Sequence, residues 1–319
     1  MGSSGAWRVA TRRSALARAQ AGVVATALAT ETGRPAELVP LSTTGDDQPT
    51  RAVGTFDVKG LFVDGVRAAV LDGRADLVVH SYKDLPTDPR RGLMIVAVPE
   101  REDPRDVLVT RDGAHLTTLR RGATVGISSA RRAAQVQRAR RDVIVQPLRG
   151  NLDTRLRRVA DGDLDAVVVA LAGLRRLGPV DLPLKLLPLE HGECLHAPAQ
   201  GALAIECRAD DGATIEALRV LDHDPTRMCV RAERALMTRL EGGCTAPIGA
   251  HANLLEGGRL ELLGMIADPI GTRLHRGSHH AAADQPERLG HVLAESLLAM
   301  GGEAIVARLR AARAAAPTR

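Results

Sequence analysis

Residues 124–160, TVGISSARRAAQVQRARRDVIVQPLRGNLDTRLRRVA, carry the reading that decides the fold. A short apolar run at 124–127 hands over to an amphipathic stretch at 130–140, and a second run at 143–148 hands over to another at 153–160. Buried-strand runs alternating with helical patterns are the sequence form of an α/β body with a largely parallel sheet. The rhythm recurs upstream, where 7–10 precedes 14–30 and a further run spans 75–80, and downstream at 165–171. Two strand-to-helix openings resemble each other. Arg8-Val9-Ala10-Thr11-Arg12-Arg13-Ser14 and Val125-Gly126-Ile127-Ser128-Ser129-Ala130-Arg131-Arg132 each set Ser and paired Arg between a strand and a helix, which fits two related lobes.

Working outward, the chain of 319 residues is long enough for two or three domains. A charged, proline-flanked segment at 99–106 and a Gly/Pro/His-rich segment at 188–200 are the candidate crossings between lobes. Beyond Asp222 the pattern changes to a helix at 227–240, the glycine-flanked Gly242-Gly243-Cys244, an alternating run at 259–266 and a final Ala/Leu helix, expected to form a smaller α+β domain. The expected division is 6–100 with 201–221 as lobe 1, 101–200 as lobe 2, and 222–319 as the C-terminal domain; 310–319 is expected to fray.

Composition narrows the function. Hydrophobic residues at 45% and charged residues at 25% exclude collagen-like and low-complexity chains. Lys and Arg number 43 against 38 Asp and Glu, a net charge of +5 that motivates a nucleic-acid reading. The aromatics oppose it: Trp7, Phe56, Phe62 and Tyr82 are the whole set, too few for a base-stacking surface. Cys194, Cys207, Cys229 and Cys244 form no C-x-x-C pair, so neither a zinc site nor a disulfide framework is expected, and a reduced, cytoplasmic chain is the simplest account. No run of about 18 apolar residues is present to span a membrane. Phosphate-loop, dinucleotide, zinc-peptidase and serine-hydrolase signatures are also absent.

What remains is a set of arginines in unusual places. Arg131 and Arg132 fall in the first turn of a helix, where the macrodipole favours negative charge, so an anion is expected to compensate them. Arg149 and Arg155 bracket the start of the next helix, and Arg12 and Arg13 precede the helix that opens at Ser14. Strand C-termini facing helix N-termini are where open α/β sheets bind ligands, and Arg grips planar carboxylates as readily as phosphates. A solvated arginine surface is the bland alternative for any single one of them. Asp84 ends the buried-strand pattern Asp76–Pro86 and is expected in the same cleft, ionised among cations, either as their ion-pair partner or as a stabiliser of a developing cation. His80 reads as a packed or hydrogen-bonded residue. Cys244 is presented on a glycine-flanked loop, which suits either a plain loop cysteine or a nucleophile or covalent attachment point.

These motifs resemble the porphobilinogen deaminase (hydroxymethylbilane synthase) family. The segments that carry the resemblance are RVATRRSALARAQ at 8–20, KGLF at 59–62, DLVVHSYKDLP at 76–86, EREDPRD at 100–106, VGISSARR at 125–132, LRGNLDTRL at 148–156, DAVVVALAGLRRLG at 165–178, QGALAIEC at 200–207 and AERALMTRLEGGCTAPIG at 232–249. The resemblance implies an α/β fold with two periplasmic-binding-protein-like lobes plus a smaller α+β C-terminal domain. It implies a transferase of tetrapyrrole and heme biosynthesis that deaminates four porphobilinogen molecules and joins them head to tail into hydroxymethylbilane. A dipyrromethane cofactor is implied on Cys244 through a thioether, its carboxylates held by Lys83, Ser129, Arg131, Arg132 and Arg155. Arg12, Ser14, Arg149 and Arg176 are implied to hold the incoming or growing rings, and Asp84 to be the catalytic carboxylate. No metal is expected. The expected partner is the small-molecule substrate, with no nucleic acid and no membrane, and the expected state is a monomer.

Three departures from the family pattern stand out. Asp64-Gly65-Val66-Arg67 replaces a Lys-Glu-Leu-Glu-like helix, and Gly65 weakens a helix by ~1 kcal/mol relative to Ala. Ile127 stands where many members have Thr. Leu195-His196-Ala197-Pro198-Ala199-Gln200 replaces the usual Leu-Pro-Ala-Val-Gly-Gln and puts that hinge's geometry in question. An active enzyme is expected, slowed by these changes. The rival from another class is a non-catalytic two-lobed anion-binding protein, which gives Asp84 and Cys244 no role.

Overall fold

The computed structural model describes residues 5–41, 58–240 and 246–314, without the side chains of 58–62 and 312–314. The chain runs β1 (Trp7–Arg12), α1 (Ala15–Thr32), β2 (Ala36–Leu41), α2 (Val58–Leu71), β3 (Leu77–Ser81) and β4 (Leu93–Ala97). Next come β5 (Asp106–Thr110), β6 (Thr124–Ile127), α3 (Ala130–Ala139), β7 (Ile144–Pro147), α4 (Leu152–Ala160), β8 (Ala166–Ala170), α5 (Leu171–Leu177) and β9 (Lys185–Pro188). It closes with β10 (Leu203–Arg208), α6 (Gly212–Arg219), α7 (Asp224–Arg239), β11 (Ile248–Leu255), β12 (Arg259–Ala267), β13 (Leu274–Ala282), α8 (Pro286–Leu297) and α9 (Glu303–Ala314). Two compact units result: Met1–Arg101 with Ala202–Arg227, and Glu102–Gly201 with Met228–Arg319.

The first unit is built on a five-stranded sheet in the order β2-β1-β3-β10-β4. β1 runs parallel to β2 and β3, and β10 lies antiparallel to both β3 and β4. Leu77, Ile205 and Cys207 of the sheet, all fully buried, pack with Leu28 of α1 and Leu218 of α6. α1 forms because Ser14 caps it, its hydroxyl accepting from the Ala17 N–H at 3.3 Å, and it stops at Gly33, whose φ of 64° suits a residue without a side chain. Trp7 is buried, donating from Nε1 to Thr32 Oγ1 at 3.1 Å under the Arg34 guanidinium, and Tyr82 is buried as well. Neither presents a ring for stacking.

The second unit repeats that sheet, in the order β7-β6-β8-β5-β9, with β6 parallel to β7 and β8 and with β5 antiparallel to β8 and β9. The openings that look alike in sequence, β1 to α1 and β6 to α3, hold equivalent positions in these two sheets. The same unit contains the antiparallel sheet β11-β12-β13, whose buried face packs with α7 and α8 around Leu236, Leu260, Leu262 and Leu293. Among the described residues no helix is long and apolar enough to cross a membrane.

α2 runs unbroken through Asp64-Gly65-Val66-Arg67, because Val66 and Val70 bury against Ala10 and Val78 and offset the propensity lost at Gly65. The altered hinge keeps a defined backbone. Ala199, at the position where the family usually has Gly, sits at φ 61°, a left-handed conformation that an L side chain adopts only with strain. Its N–H donates to Glu233 Oε2 at 2.7 Å, and the other oxygen of that fully buried carboxylate accepts from the Ala252 N–H at 2.9 Å. Gln200 donates to the Pro104 carbonyl and to Asp106 Oδ1, both at 2.8 Å, joining the two crossing segments.

Candidate functional site

Each unit gathers candidate site residues of its own, and the two are described one at a time. In the first, Arg12 ends β1, and Asp84 ends the single 3-10 turn, Tyr82–Asp84, that follows β3. Both therefore stand at the C-terminal edge of parallel strands. They line a cavity of about 230 Å³ together with Gln20, His80 and Ser81, and with an apolar wall from Ala17, Val63, Val66 and Val79. Asp84 and Lys83 are half-buried. Ser81 donates to Gln20 Oε1 at 2.9 Å, fixing the floor. Ser14 lends its hydroxyl to the α1 cap.

Beside that cavity lies a charge cluster that the sequence reading missed. Glu206 on β10, 3% exposed, receives Arg67 Nε and Nη2 at 2.7 and 2.6 Å and lies 3.1 Å from His80 Nε2. Burial alone would push the Glu206 carboxyl up; the hydrogen bonds from His80 and Arg67 outweigh it and hold it down at about 2. The readable signal was a Glu inside the apolar run 202–207, since a charge in a buried strand demands a partner.

In the second unit the anion expected to compensate Arg131 and Arg132 is part of the chain. Asp106, fully buried at the start of β5, meets Arg131 Nη1 at 2.8 Å and Arg132 Nη2 at 2.6 Å. Burial raises its carboxyl, but the two guanidinium charges and their hydrogen bonds drive it far below the ordinary carboxylate range. Arg131 also donates to the Leu195 carbonyl at 2.6 Å and Arg132 to the Val168 carbonyl at 3.3 Å. Two cations on one carboxylate leave a charge of +1 at the α3 N-terminus, where free N–H groups already favour anions.

Arg155, in the first turn of α4, adds to that excess. It donates to the Gly150 carbonyl and to Ser128 Oγ, both at 2.9 Å. Its pKa is lowered by burial first and then by the nearby Arg132 charge. Ser129 is the N-cap residue of α3 and makes no side-chain capping bond, while Asn151 caps α4 by accepting from the Thr154 N–H at 2.9 Å. Arg149 is exposed, and Arg176 on α5 donates to the Gly201 carbonyl at 2.6 Å, its pKa lowered by burial. Arg131, Arg132 and Arg155 are thus brought together, with Ser129 at the same helix start. Buried cations outnumbering carboxylates beside two helix N-termini fit the carboxylate arms of a dipyrromethane.

Cys194 and Cys207 are fully buried, and burial pushes their thiols up to about 12 and about 11, away from the reactive thiolate. Cys244, Gly242 and Gly243 lie outside the described residues, as do the side chains of 59–62.

Each unit is an α/β body with cationic groups at its strand-to-helix edge, the build of a protein that handles small polyanions. The chain belongs to the porphobilinogen deaminase family. Residues 7–216 match the family model described as porphobilinogen deaminase, dipyromethane cofactor binding domain, and 227–299 match its C-terminal domain. Relatives named porphobilinogen deaminase include one from Nocardia farcinica, 47% identical over 95% of this chain and 89% of that protein, and one from Mycobacterium ulcerans, 47% identical over 94% and 96%. Porphobilinogen deaminase 1 of Streptomyces coelicolor is 45% identical over 93% of each chain. Among solved structures, an ancestral cationic amino acid solute binding protein is 16% identical, covers 68% of this chain and 88% of its own, and gives a TM-score of 0.44.

Proposed function

We propose that this chain is a transferase of tetrapyrrole biosynthesis that deaminates porphobilinogen and joins four units head to tail, releasing one ammonia for each, before hydrolysis by one water frees hydroxymethylbilane. The observation that carries this reading is family membership across nearly the whole chain; Arg12, Asp84, Arg131, Arg132, Arg155 and Cys244 are the residues the motif resemblance assigns to it.

Tethered to Cys244, a dipyrromethane would supply a free pyrrole α-carbon as nucleophile. Lys83, Ser129, Arg131, Arg132 and Arg155 would hold its carboxylates: Arg131 and Arg132, locked on Asp106, give a fixed field, and Arg155 and Ser129 give directed donors. Arg12, Ser14, Arg149 and Arg176 hold the carboxylates of the incoming or growing rings. Asp84 acts on the reacting ring. As ammonia leaves, positive charge develops over the pyrrole and its methylene carbon, and an ionised carboxylate that accepts the pyrrole N–H stabilises that charge; no arginine can substitute. The apolar wall of Val63, Val66 and Val79 supports this role, since it lowers the local dielectric around Asp84. A cytoplasmic monomer that uses neither nucleic acid nor membrane completes the reading; the burial of Trp7 and Tyr82 speaks against a base-stacking surface.

Intact mass of the purified protein mixed with porphobilinogen tests it. The expected result is a mass above the polypeptide by two linked pyrroles, further rungs for each added unit, and loss of all of them in Cys244→Ser. A bare polypeptide mass that substrate never changes would overturn the reading in favour of a non-catalytic anion-binding protein. Asp84→Ala is expected to keep the two-pyrrole mass while turnover falls by about 10²–10³-fold or more; near-normal turnover would remove Asp84 from its role.

A further inference from the structure

We propose that His191, His196 and His251 form a binding site for one divalent transition-metal ion of the zinc class, separate from the residues assigned to the tetrapyrrole chemistry. Their candidate ligand nitrogens all lie within 4.8 Å of one another. His196 stands in the altered hinge and is fully buried, while His191 and His251 are half-buried.

Two of the three rings are set by the backbone. β11 lies against the hinge so closely that a Cβ at Gly249 would come within 2.9 Å of the Leu195 carbonyl oxygen, and Ala250 donates its N–H to the His196 carbonyl at 3.0 Å. His251, the next residue on β11, is thereby held opposite His196. His196 Nδ1 lies 2.9 Å from the Ala197 carbonyl, which can only accept, so Nδ1 carries the proton and Nε2 offers a lone pair. A second-coordination-sphere carbonyl that fixes the tautomer in this way is what a metal-binding histidine needs.

The spacing agrees with the chemistry. Tetrahedral zinc with bonds of about 2.0–2.1 Å to nitrogen separates its ligand nitrogens by roughly 3.3 Å. His196 Nε2 and His251 Nδ1 are 3.0 Å apart, joined by a hydrogen bond whose proton must come from His251. An ion takes that proton's place as it moves to His251 Nε2, so the rings stay neutral. His191 stacks on His251 with centroids 3.8 Å apart. It sits on the turn that contains Gly192, and coordination would exchange this stacked arrangement for one in which a ring nitrogen of His191 faces the ion. Three imidazoles and an open fourth position select zinc, cobalt, nickel or copper over magnesium and calcium, which take oxygen ligands. Since 191–196 and β11 are far apart in sequence, the ion would cross-link them.

The test uses the purified holoprotein and Co²⁺ or Zn²⁺ alone. Expected are one ion per chain by native mass spectrometry, the visible absorption of four-coordinate cobalt on titration, and a thermal midpoint that rises with ion concentration. His191→Asn, on the partly exposed turn, is expected to weaken binding by about tenfold or more, and His251→Gln to abolish the cobalt spectrum, each with an unfolding curve without metal to show that the chain is folded. No ion retained by the wild-type protein, or one ion retained equally by His191→Asn and His251→Gln, would overturn the proposal. Activity is not read, so the outcome stands apart from that of the proposed function.

Discussion

Glu206 and Asp106 occupy the same strand of the same sheet topology in the two units, yet they serve different ends. Glu206 pairs in register with Val78, early in β3 and away from the edge where the parallel strands end. It meets one guanidinium and one imidazole, which leaves the cluster able to reach charge balance inside its own unit. Asp106 pairs with Ala170, the last residue of β8, and so lies at the edge where α3 begins. It meets two guanidiniums and cannot neutralise both. Placement along the strand, rather than the presence of a buried acid, decides whether a charge cluster is balanced within the framework or leaves surplus positive charge at the strand-to-helix edge.

Asp106→Asn attacks the comparison hardest. Two buried cations would lose their carboxylate, and breaking a buried ion pair typically destabilises by about 3–5 kcal/mol. Denaturant unfolding is expected to show a loss of that size. Glu206→Gln is expected to lose less, since one buried guanidinium rather than two is then left without its carboxylate. Arg67→Met with Glu206→Gln should recover part of the loss, because no buried charge is then left alone. Equal losses at Glu206 and Asp106 would mean that the two clusters are equivalent.

Acid separates the clusters next. A carboxyl held at about 2, against an ordinary 4.5, contributes stability that is complete above pH 4.5 and is lost as pH falls through about 2, a change on the order of 3 kcal/mol for Glu206. Asp106 is held lower still, so its contribution persists to more acidic pH. Hydrogen exchange resolved by peptide is expected to show β3 and β10 opening before β5 and β8 as pH is lowered. The reverse order would place the stronger ion pair in the first unit.

How much of this was legible follows from the physics of each signal. The β-then-α rhythm located β1 with α1, β6 with α3 and β7 with α4, because amphipathic periodicity is local. The family resemblance set 201–221, and so β10, with lobe 1, but which strands β10 and β5 lie beside was not legible, since a buried strand reads as an apolar run with no mark of its neighbour. The arginines at helix starts were visible as a set. Which of them meet an internal carboxylate was not: Asp106 falls in a stretch that reads as a charged linker, although it is wholly buried. Arg67 stands out in the sequence only as a departure from the family pattern, and its partner Glu206 lies 139 residues away.

Arg155 tests the anion site more gently. Its removal takes away a cation that Arg132 repels, so Arg155→Gln is expected to change stability by no more than about 0.5 kcal/mol while weakening the hold on the dipyrromethane carboxylates. Apoprotein loading followed by intact mass should show slower or incomplete two-pyrrole addition. A large loss of stability would instead make Arg155 part of the framework.

The smallest expected effect uses the two serines at equivalent helix starts. Ser14 accepts from the Ala17 N–H at a long 3.3 Å, so Ser14→Ala removes a weak cap and should cost about 0.5 kcal/mol, the low end for such losses. Ser129 makes no capping bond, so Ser129→Ala should leave the apoprotein's stability unchanged. The difference reverses with the cofactor in place. A hydroxyl spared from capping is free to meet a carboxylate, so Ser129→Ala should narrow the gap in thermal midpoint between holo- and apoprotein, whereas Ser14→Ala should shift both together. If both substitutions shifted apo- and holoprotein alike, Ser129 would be an ordinary helix start and the edge of the second unit would lose one of its assigned donors.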